Sequence, residues 1–591
     1  MLQGELMSEN KIEHSRSLRS ARWFRKDDLP GFVHRSTLAA AGWSREDLME
    51  RPVVGILNTW SDINPCNLNL RDLAEEVKTG ILEAGGIPLE APLMSISENI
   101  IKPTSFPFRN LLAMEAEESI RAYPFDAVVL LGGCDKTQPA LLMGAASAGV
   151  PCIFLASGPA TPRSSTGGNL ANATGVWRLV DELRAGEVSQ GDFAAFERSV
   201  MGTVGHCAEM GTASSMATIC EALGVSLPGS SLVPAVDRRR NQFAREVGRR
   251  SVRMAAEGSP RPDEVLDARA FDNAITLLCA VGGSTNVIIH LLALAGRVGV
   301  PLTLERFDEI ARHVPLIANV QPAGEHLTER LMTAGGVPAL LKTLKPLLHL
   351  DARTVDGRTI GEVIETAEVI DGDVIRPLDK PVKPGETLVV VKGNLAPDGA
   401  VMKTCAADPK LFSHRGPAVV FEDVQTIADR IDDPELGIDE NSVLILRNAG
   451  PVGAAMPEWG MLPLPRHLME RGVRDMLRIS DARMSGTAYG AAVLHVSPEA
   501  AIGGSLALVQ DGDIIELDVA ERRLQLCVEP EELERRRQAW QPPLSRHVRG
   551  YRNLYNQHIE QAHRGCDFDF LRGANEETLP EGLFDGWVGG W

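Results

Sequence analysis

Short apolar runs alternate with helical segments between residues 52 and 156. The runs are Val53–Leu57, Ile87–Met94, Ala127–Leu131 and Cys152–Ala156, and the helical segments lie at about 70–84, 113–122 and 139–148. Strands that alternate with helices form a parallel sheet covered on both faces. Ligands of such sheets bind beyond the carboxyl ends of the strands. This pattern predicts an α/β domain whose functional residues lie in the turns that follow the strands.

The pattern changes near residues 381–385, after a predominantly helical stretch at about 265–350. Short β-like runs then dominate: Leu388–Val391, Ala418–Phe421, Val443–Arg447, Met476–Ile479, Val493–Val496, and a hairpin of Ile514–Val519 with Leu524–Val528. The sequence therefore predicts a mostly β, barrel-like second domain. The predicted organisation is an N-terminal arm and lead-in (1–50), an α/β domain with additional helical packing (51–380), and a β-rich C-terminal domain with a tail (381–591).

Length and charge exclude several classes of protein. The chain has 591 residues, too many for one hydrophobic core. Its formal net charge of −19 disfavours nucleic-acid or anionic-membrane partners. Its apolar runs are shorter than the ~20 residues that span a bilayer, and Met1–Arg25 has no apolar core of a secretory signal. Nine cysteines without regular spacing are typical of reduced thiols, so we expect a cytoplasmic protein.

Three turns that follow predicted strands carry metal-binding side chains. Cys66 follows the first strand, Glu98 the second, and Cys134, Asp135 and Lys136 the third. The three turns are expected to meet at one edge of the sheet. Thiolates suit iron–sulfur clusters or zinc, whereas carboxylates suit magnesium, calcium or manganese, so adjacent Cys and Asp can serve two metal centres. The alternative is a buried structural cysteine beside a helix-capping aspartate.

A third candidate thiol, Cys207, lies in the turn before a helix predicted at about 212–223. A helix N-terminus favours the thiolate form of a nearby cysteine. Cys66, Cys134 and Cys207 are about 70 residues apart, unlike the close spacings of zinc ribbons and ferredoxins. Their spacing alone is therefore weak support for a shared cluster, but each of them lies in a polar turn.

Two loops of the second half add oxygen ligands and a hydroxyl group. Glu458 lies in a Gly/Pro-rich loop after a predicted strand, and Ser485 lies in another such loop beside Gly486. A glycine permits an uncommon backbone angle and close approach of a ligand. The alternative for Glu458 is a solvated acid in a loop, and the alternative for Ser485 is a turn hydroxyl that forms a hydrogen bond with its own backbone. The serine is not in a G-x-S-x-G elbow, so hydrolase chemistry is not indicated.

Six motifs together resemble the dihydroxy-acid/6-phosphogluconate/sugar-acid dehydratase family, over about residues 53–528. They are Gly133-Cys134-Asp135-Lys136-Thr137, Gly205-His206-Cys207 with Met210-Gly211-Thr212-Ala213, Val391-Lys392-Gly393-Asn394-Leu395, Met456-Pro457-Glu458, Asp481-Ala482-Arg483-Met484-Ser485-Gly486-Thr487, and His495-Val496-Ser497-Pro498-Glu499-Ala500. His206 and the Ser-Gly-Thr sequence are most similar to the aldonate branch, typified by L-arabinonate and D-xylonate dehydratases. Ala208-Glu209 replaces the Asn-Thr associated with this motif and leaves the exact substrate open.

The resemblance implies two metal centres. Cys66, Cys134 and Cys207 would hold an iron–sulfur cluster, for which similarity to the branch favours the 2Fe–2S type. Glu98, Asp135, Lys136 and Glu458 would hold Mg²⁺, with Lys136 carboxylated by CO₂, because a carbamate adds an oxygen ligand where an ammonium would repel the ion. A homodimer or homotetramer is the implied assembly.

The resemblance also implies a reaction, the dehydration of a small polyhydroxy acid to its 2-keto-3-deoxy acid. Three cysteines leave one cluster iron open as a Lewis acid for the C3 hydroxyl. Ser485, as an alkoxide, would remove the C2 proton, and Thr487 would orient the serine or the substrate. Two alternatives remain: a dihydroxy-acid dehydratase of branched-chain amino-acid biosynthesis, and a non-catalytic iron–sulfur redox sensor.

Overall fold

The computed structural model describes residues 18–161, 163–164, 170–197, 200, 202–459, 462–543 and 548–573. Its α-helices are Ala21–Phe24, Leu29–Ala39, Arg45–Glu50, Leu70–Glu83, Pro107–Ala122, Thr137–Ala148, Ala173–Arg184, Gln190–Glu197, Thr212–Ala222, Arg239–Glu257, Pro262–Val265, Ala268–Ala280, Asn286–Arg297, Leu304–Ala311, Thr328–Thr333, Gly336–Thr343, Ile360–Glu365, Val424–Arg430, Arg466–Glu470, Pro530–Ala539 and Gly550–His558. Among these helices, none combines the length and apolar character that a bilayer crossing requires.

The first half contains a four-stranded parallel sheet. Its strands are β1 (Val53–Asn58), β2 (Ile87–Pro92), β3 (Ala127–Gly132) and β4 (Cys152–Ala156), in the order β2-β1-β3-β4. Every residue of β1, β3 and β4 is buried, which explains why these strands read as continuous apolar runs. The predicted α/β architecture is confirmed. A two-stranded antiparallel pair, β5 (Arg163–Ser164) with β6 (Leu170–Ala171), follows.

Helices pack closely around this sheet because glycines bring their backbones together. A Cβ at Gly80 would lie 2.0 Å from the carbonyl oxygen of Arg245, and one at Gly248 would lie 2.3 Å from that of Val77. These contacts join the helices Leu70–Glu83 and Arg239–Glu257. The helix predicted from residue 113 begins at Pro107, where a proline in the first turn is favourable.

The second half forms a nearly closed eight-stranded barrel, as predicted. Its strands are β7 (Val389–Val391), β8 (Gly399–Met402), β9 (Ser413–Phe421), β10 (Val443–Leu446), β12 (Arg478–Ser480), β14 (Ala492–Ser497), β15 (Ile514–Asp518) and β16 (Arg523–Leu526), in the order β16-β15-β9-β10-β12-β14-β8-β7. The backbone of Lys392 bonds to Arg522 and Leu524, which links the two outer strands. The four central strands are parallel, a feature that the short apolar runs did not predict.

Apolar packing and a returning C-terminal segment help to hold the halves together. Side chains of the second half, such as Met484 and Leu494, join the apolar core of the first. The segment 548–573 returns to the first half, where Arg297 forms a fully buried ion pair with Asp567 at 2.5 Å and Arg109 donates to the carbonyl of Cys566 at 2.5 Å. Loops of the second half lie next to the turns that follow the strands of the parallel sheet. These loops contain the two remaining strands, β11 (Glu458–Trp459) and β13 (Arg483–Met484), which pair with each other.

Candidate active site

One cavity of about 260 Å³ gathers the side chains that the sequence singled out. Eight of the nine line it: Cys66, Cys134, Cys207, Glu98, Asp135, Glu458, Ser485 and Thr487. The ninth, Lys136, is fully buried and contacts the three carboxylates. The structure therefore brings together residues from six separate segments of the chain.

The three thiols come from turns of the first half. Cys66 lies in the 3₁₀ turn Pro65–Asn67 after β1, Cys134 directly follows β3, and Cys207 precedes the helix Thr212–Ala222. A hydrogen bond with Cys134 and burial raise the pKa of Cys66 well above its usual value. Burial and the neighbouring negative charges also raise the pKa of Cys207, which outweighs the lowering expected at a helix N-terminus. Thiolates here require a cationic partner.

The carboxylates of Glu98, Asp135 and Glu458 form a cage. One oxygen from each lies within 4.8 Å of one from each of the others, a spacing suited to a single metal ion. Ser105 donates to Glu98, and Asn286 Nδ2 donates to Glu458 Oε2 at 3.0 Å. Three converging carboxylate oxygens are the ligands that hard cations such as Mg²⁺ and Ca²⁺ prefer.

Two buried cations balance this cage. Lys136 Nζ lies 2.8 Å from Glu98, 3.5 Å from Glu458 and 3.7 Å from Asp135. Arg483 Nη1 donates to Glu458 at 2.7 Å, and its Nη2 lies 3.6 Å from Glu98. The sequence did not single out Arg483, although it lies in the motif Asp481–Thr487. The pairing of β11 with β13 sets Arg483 opposite Glu458, so that it can bind this carboxylate.

The carboxylates differ in pKa because burial and these cations act against each other. Burial raises the pKa of Glu458 to about 7, despite the positive charge of Lys136. Burial also disfavours the charged form of Glu98, but the charges of Lys136 and Arg483 outweigh it and lower its pKa to about 2. The positive charges therefore act most strongly on Glu98, whereas burial dominates at Glu458 and also raises the pKa of Asp135.

The hydroxyl pair Ser485 and Thr487 lies beside the cage. Ser485 Oγ is 2.8 Å from Thr487 Oγ1 and accepts the backbone N–H of Thr487 at 3.3 Å. Gly486 between them does not adopt the left-handed angle that its identity suggested. A Cβ at Gly486 would instead lie 2.6 Å from the side chain of Ser284, so the glycine is needed for close packing.

The unusual acid Glu209 lines the same cavity and is buried. Its carboxylate accepts the backbone N–H of Thr174 at 3.1 Å, at the start of the helix Ala173–Arg184. Burial raises the pKa of Glu209. This acid thus anchors a helix beside the cavity, a contact that no local sequence pattern reveals.

Comparison with known proteins identifies the family. The models for the dihydroxy-acid/6-phosphogluconate dehydratase N-terminal and C-terminal regions match residues 51–363 and 373–566. A putative dehydratase IlvD1 of Rhizobium meliloti (strain 1021) is 48% identical over 97% of this chain and 100% of that protein. The 6-deoxy-6-sulfo-D-gluconate dehydratase of Pseudomonas putida is 46% identical over 97% and 99%. The L-arabinonate dehydratase of Rhizobium leguminosarum bv. trifolii (strain WSM2304) is 47% identical over 97% and 99%.

These matches define an enzyme of the hydro-lyase class, a dehydratase. The chain belongs to the dihydroxy-acid/6-phosphogluconate dehydratase family, as the sequence motifs indicated.

Proposed function

We propose that this protein dehydrates a sugar acid, an aldonate such as arabinonate, xylonate or gluconate, to its 2-keto-3-deoxy acid. The observation that carries the proposal is the convergence of three thiols, three carboxylates and Ser485 on one cavity. The two relatives named for sugar acids, at 46 and 47% identity over nearly the whole chain, support an aldonate over a branched dihydroxy acid.

The donor set fits two inorganic centres. Cys66, Cys134 and Cys207 would hold an iron–sulfur cluster, of the 2Fe–2S type by resemblance, because thiols that contact one another in a buried site suit such a cluster. Glu98, Asp135 and Glu458 would hold Mg²⁺. When bound, the cluster supplies a Lewis acid for the C3 hydroxyl, and Mg²⁺ supplies positive charge for the substrate carboxylate and C2 oxygen.

Lys136 would complete the Mg²⁺ site as a carbamate formed with CO₂. Its amine is fully buried and within 3.7 Å of all three carboxylates, so an ammonium there would compete with a metal ion for the same oxygens. A carbamate replaces that positive charge with a further oxygen ligand. Enzyme loaded with ¹³C-bicarbonate and Mg²⁺ is expected to show a carbamate carbon signal that Lys136→Arg lacks.

Ser485 would act as the base. Its deprotonated oxygen takes the proton from C2 of the substrate, and the electron pair of that C–H bond forms the C2–C3 double bond. The C3–O bond breaks with its electron pair on oxygen, and the departing hydroxide leaves as water with the proton that Ser485 received. The resulting enol tautomerises to the 2-keto acid when C3 gains a proton and the C2 hydroxyl loses one. Thr487, whose hydroxyl and backbone N–H both lie within hydrogen-bond distance of Ser485 Oγ, would hold the serine oxygen toward the cavity.

A substrate panel with keto-acid detection tests the proposal. The panel contains L-arabinonate, D-xylonate, D-gluconate, 6-deoxy-6-sulfo-D-gluconate and 2,3-dihydroxy-isovalerate. We expect turnover of at least one sugar acid, and loss of about 10²–10⁴-fold in kcat in Ser485→Ala, the usual contribution of a positioned base, with both metals still bound. Turnover of the branched acid alone would favour the biosynthetic alternative. Absence of any turnover, with no response to Mg²⁺, would favour a redox sensor.

A further inference from the structure

The loop that carries Ser485 forms hydrogen bonds with the helix Ala173–Arg184 of the first half. Trp177 Nε1 donates to Thr487 Oγ1 at 2.8 Å, and Thr174 Oγ1 donates to the carbonyl of Thr487 at 2.9 Å. Thr174 and Trp177 are three residues apart, so they lie on the same face of the helix. Two side chains of one helix thus hold a single residue next to the proposed base.

The chemistry of the three side chains gives these hydrogen bonds a direction. An indole N–H only donates, whereas a hydroxyl group both donates one proton and accepts. Thr487 Oγ1 accepts from Trp177, and within the described ranges Ser485 Oγ is the one acceptor within hydrogen-bond distance of the Thr487 hydroxyl. Once Ser485 has lost its proton, its oxygen can only accept, so the hydroxyl and the backbone N–H of Thr487 then both donate to it.

The start of the helix is fixed by side chains next to the cavity. Glu209 accepts the N–H of Thr174 at 3.1 Å, and Asn172 accepts that of Gly175 at 2.7 Å. The acid that distinguishes this chain beside Cys207 thereby sets the position of Trp177, one turn further along the helix.

We propose that Trp177 is a positioning residue for the dehydration, which acts through Thr487 to orient Ser485. The inference rests on the proposed function, in which Ser485 receives the C2 proton. After Ser485 loses its proton, two donors of Thr487, the hydroxyl and the backbone N–H, stabilise the negative charge on the serine oxygen.

The test compares Trp177→Phe, Thr487→Val and the double variant, with Trp540→Phe as the control. Phe keeps an aromatic ring but removes the donor. Trp540 lies at the end of the helix Pro530–Ala539 against Gly503, outside the cavity lining. The probe is the best substrate among L-arabinonate, D-xylonate and D-gluconate, prepared with deuterium at C2. Iron, sulfide and Mg²⁺ contents are measured for each variant.

We expect Trp177→Phe to lower kcat by up to about tenfold with KM nearly unchanged, the effect of losing one hydrogen bond between neutral groups. Its deuterium isotope effect on kcat should exceed that of the unmodified enzyme, because proton removal becomes slower. In the Thr487→Val background, Trp177→Phe should have no further effect, because its partner is already gone. Thr487→Ser, which keeps the hydroxyl, should restore most of the rate lost in Thr487→Val.

Several results would overturn the inference. Additive losses in the double variant would show that Trp177 does not act through Thr487, and a raised KM at unchanged kcat would make the indole a substrate contact. A normal kcat in Trp177→Phe together with an inactive Ser485→Ala would reject this role alone. An active Ser485→Ala would instead reject the proposed base and with it the inference.

Discussion

The thiol side of the cavity comes from one half of the chain, whereas the carboxylate side is assembled from both. Cys66, Cys134 and Cys207 lie in turns around the parallel sheet. Glu98 and Asp135 share that origin, but Glu458 and its partner Arg483 come from the paired strands β11 and β13 of the second half. The thiols proposed to hold the cluster therefore all lie in the first half, whereas the proposed Mg²⁺ site needs residues of both halves.

Cys134→Ser is the variant that separates the two sides with the largest effect. We expect it to lose the visible absorbance of the cluster and all detectable activity, because a serine oxygen is a poor ligand for iron–sulfur centres. Mg²⁺ binding should persist, since the carboxylate cage contains no sulfur. Absorption spectra and titration with Mg²⁺ measure both outcomes.

Cys527→Ser is the matched control, because Cys527 is exposed and lies on the barrel. Retained absorbance in Cys134→Ser would remove Cys134 from the cluster ligands. Loss of both centres would show that the thiol side supports the carboxylate side, so that the two are not independent.

Glu458→Gln tests the side that depends on docking. Glutamine keeps the shape of the side chain and an oxygen that can accept from Asn286, but it removes a charge that a metal ion needs. We expect Mg²⁺ affinity to fall about 100-fold or more, at least the effect of losing a residue that orients a metal ligand, while the cluster absorbance stays. Calorimetric titration measures the affinity, and Glu422→Gln on an exposed barrel loop is the control. Unchanged affinity would place the Mg²⁺ site elsewhere.

The same contrast explains which parts of the site could be predicted from sequence. The turns with Cys66 and Cys134 follow strands whose burial makes them visible as apolar runs, so their convergence follows from sheet topology. Arg483 and Trp177 act through contacts between the halves, and hydrophobic periodicity carries no information about docking. Strand β8 (Gly399–Met402) was missed because its sequence, Gly-Ala-Val-Met, has only one β-branched residue and begins with two residues that are uncommon in strands.

Arg483→Lys makes the smallest and most specific change to the carboxylate side. Arg483 spans Glu458 and Glu98, its Nε donates to the carbonyl of Met456 at 3.0 Å, and its guanidinium stacks at 4.7 Å on the ring of Phe106. Lysine keeps the charge but has no planar group with which to bridge two carboxylates and stack on an aromatic ring.

We therefore expect Arg483→Lys to weaken Mg²⁺ binding about tenfold, at the low end of the range for residues that orient metal ligands, with cluster absorbance unchanged. Arg306→Lys, whose partner Asp272 lies on a helix away from the cavity, controls for the loss of an arginine. If Arg483 contributes only charge, the lysine variant binds Mg²⁺ normally, and Arg483→Met binds it more tightly because a competing cation is gone. If Arg483 orients Glu458 and Glu98, Arg483→Lys and Arg483→Met both bind Mg²⁺ more weakly. In the Glu458→Gln background the effect of Arg483→Lys should then be smaller, because one of the two carboxylates that Arg483 contacts no longer carries a charge.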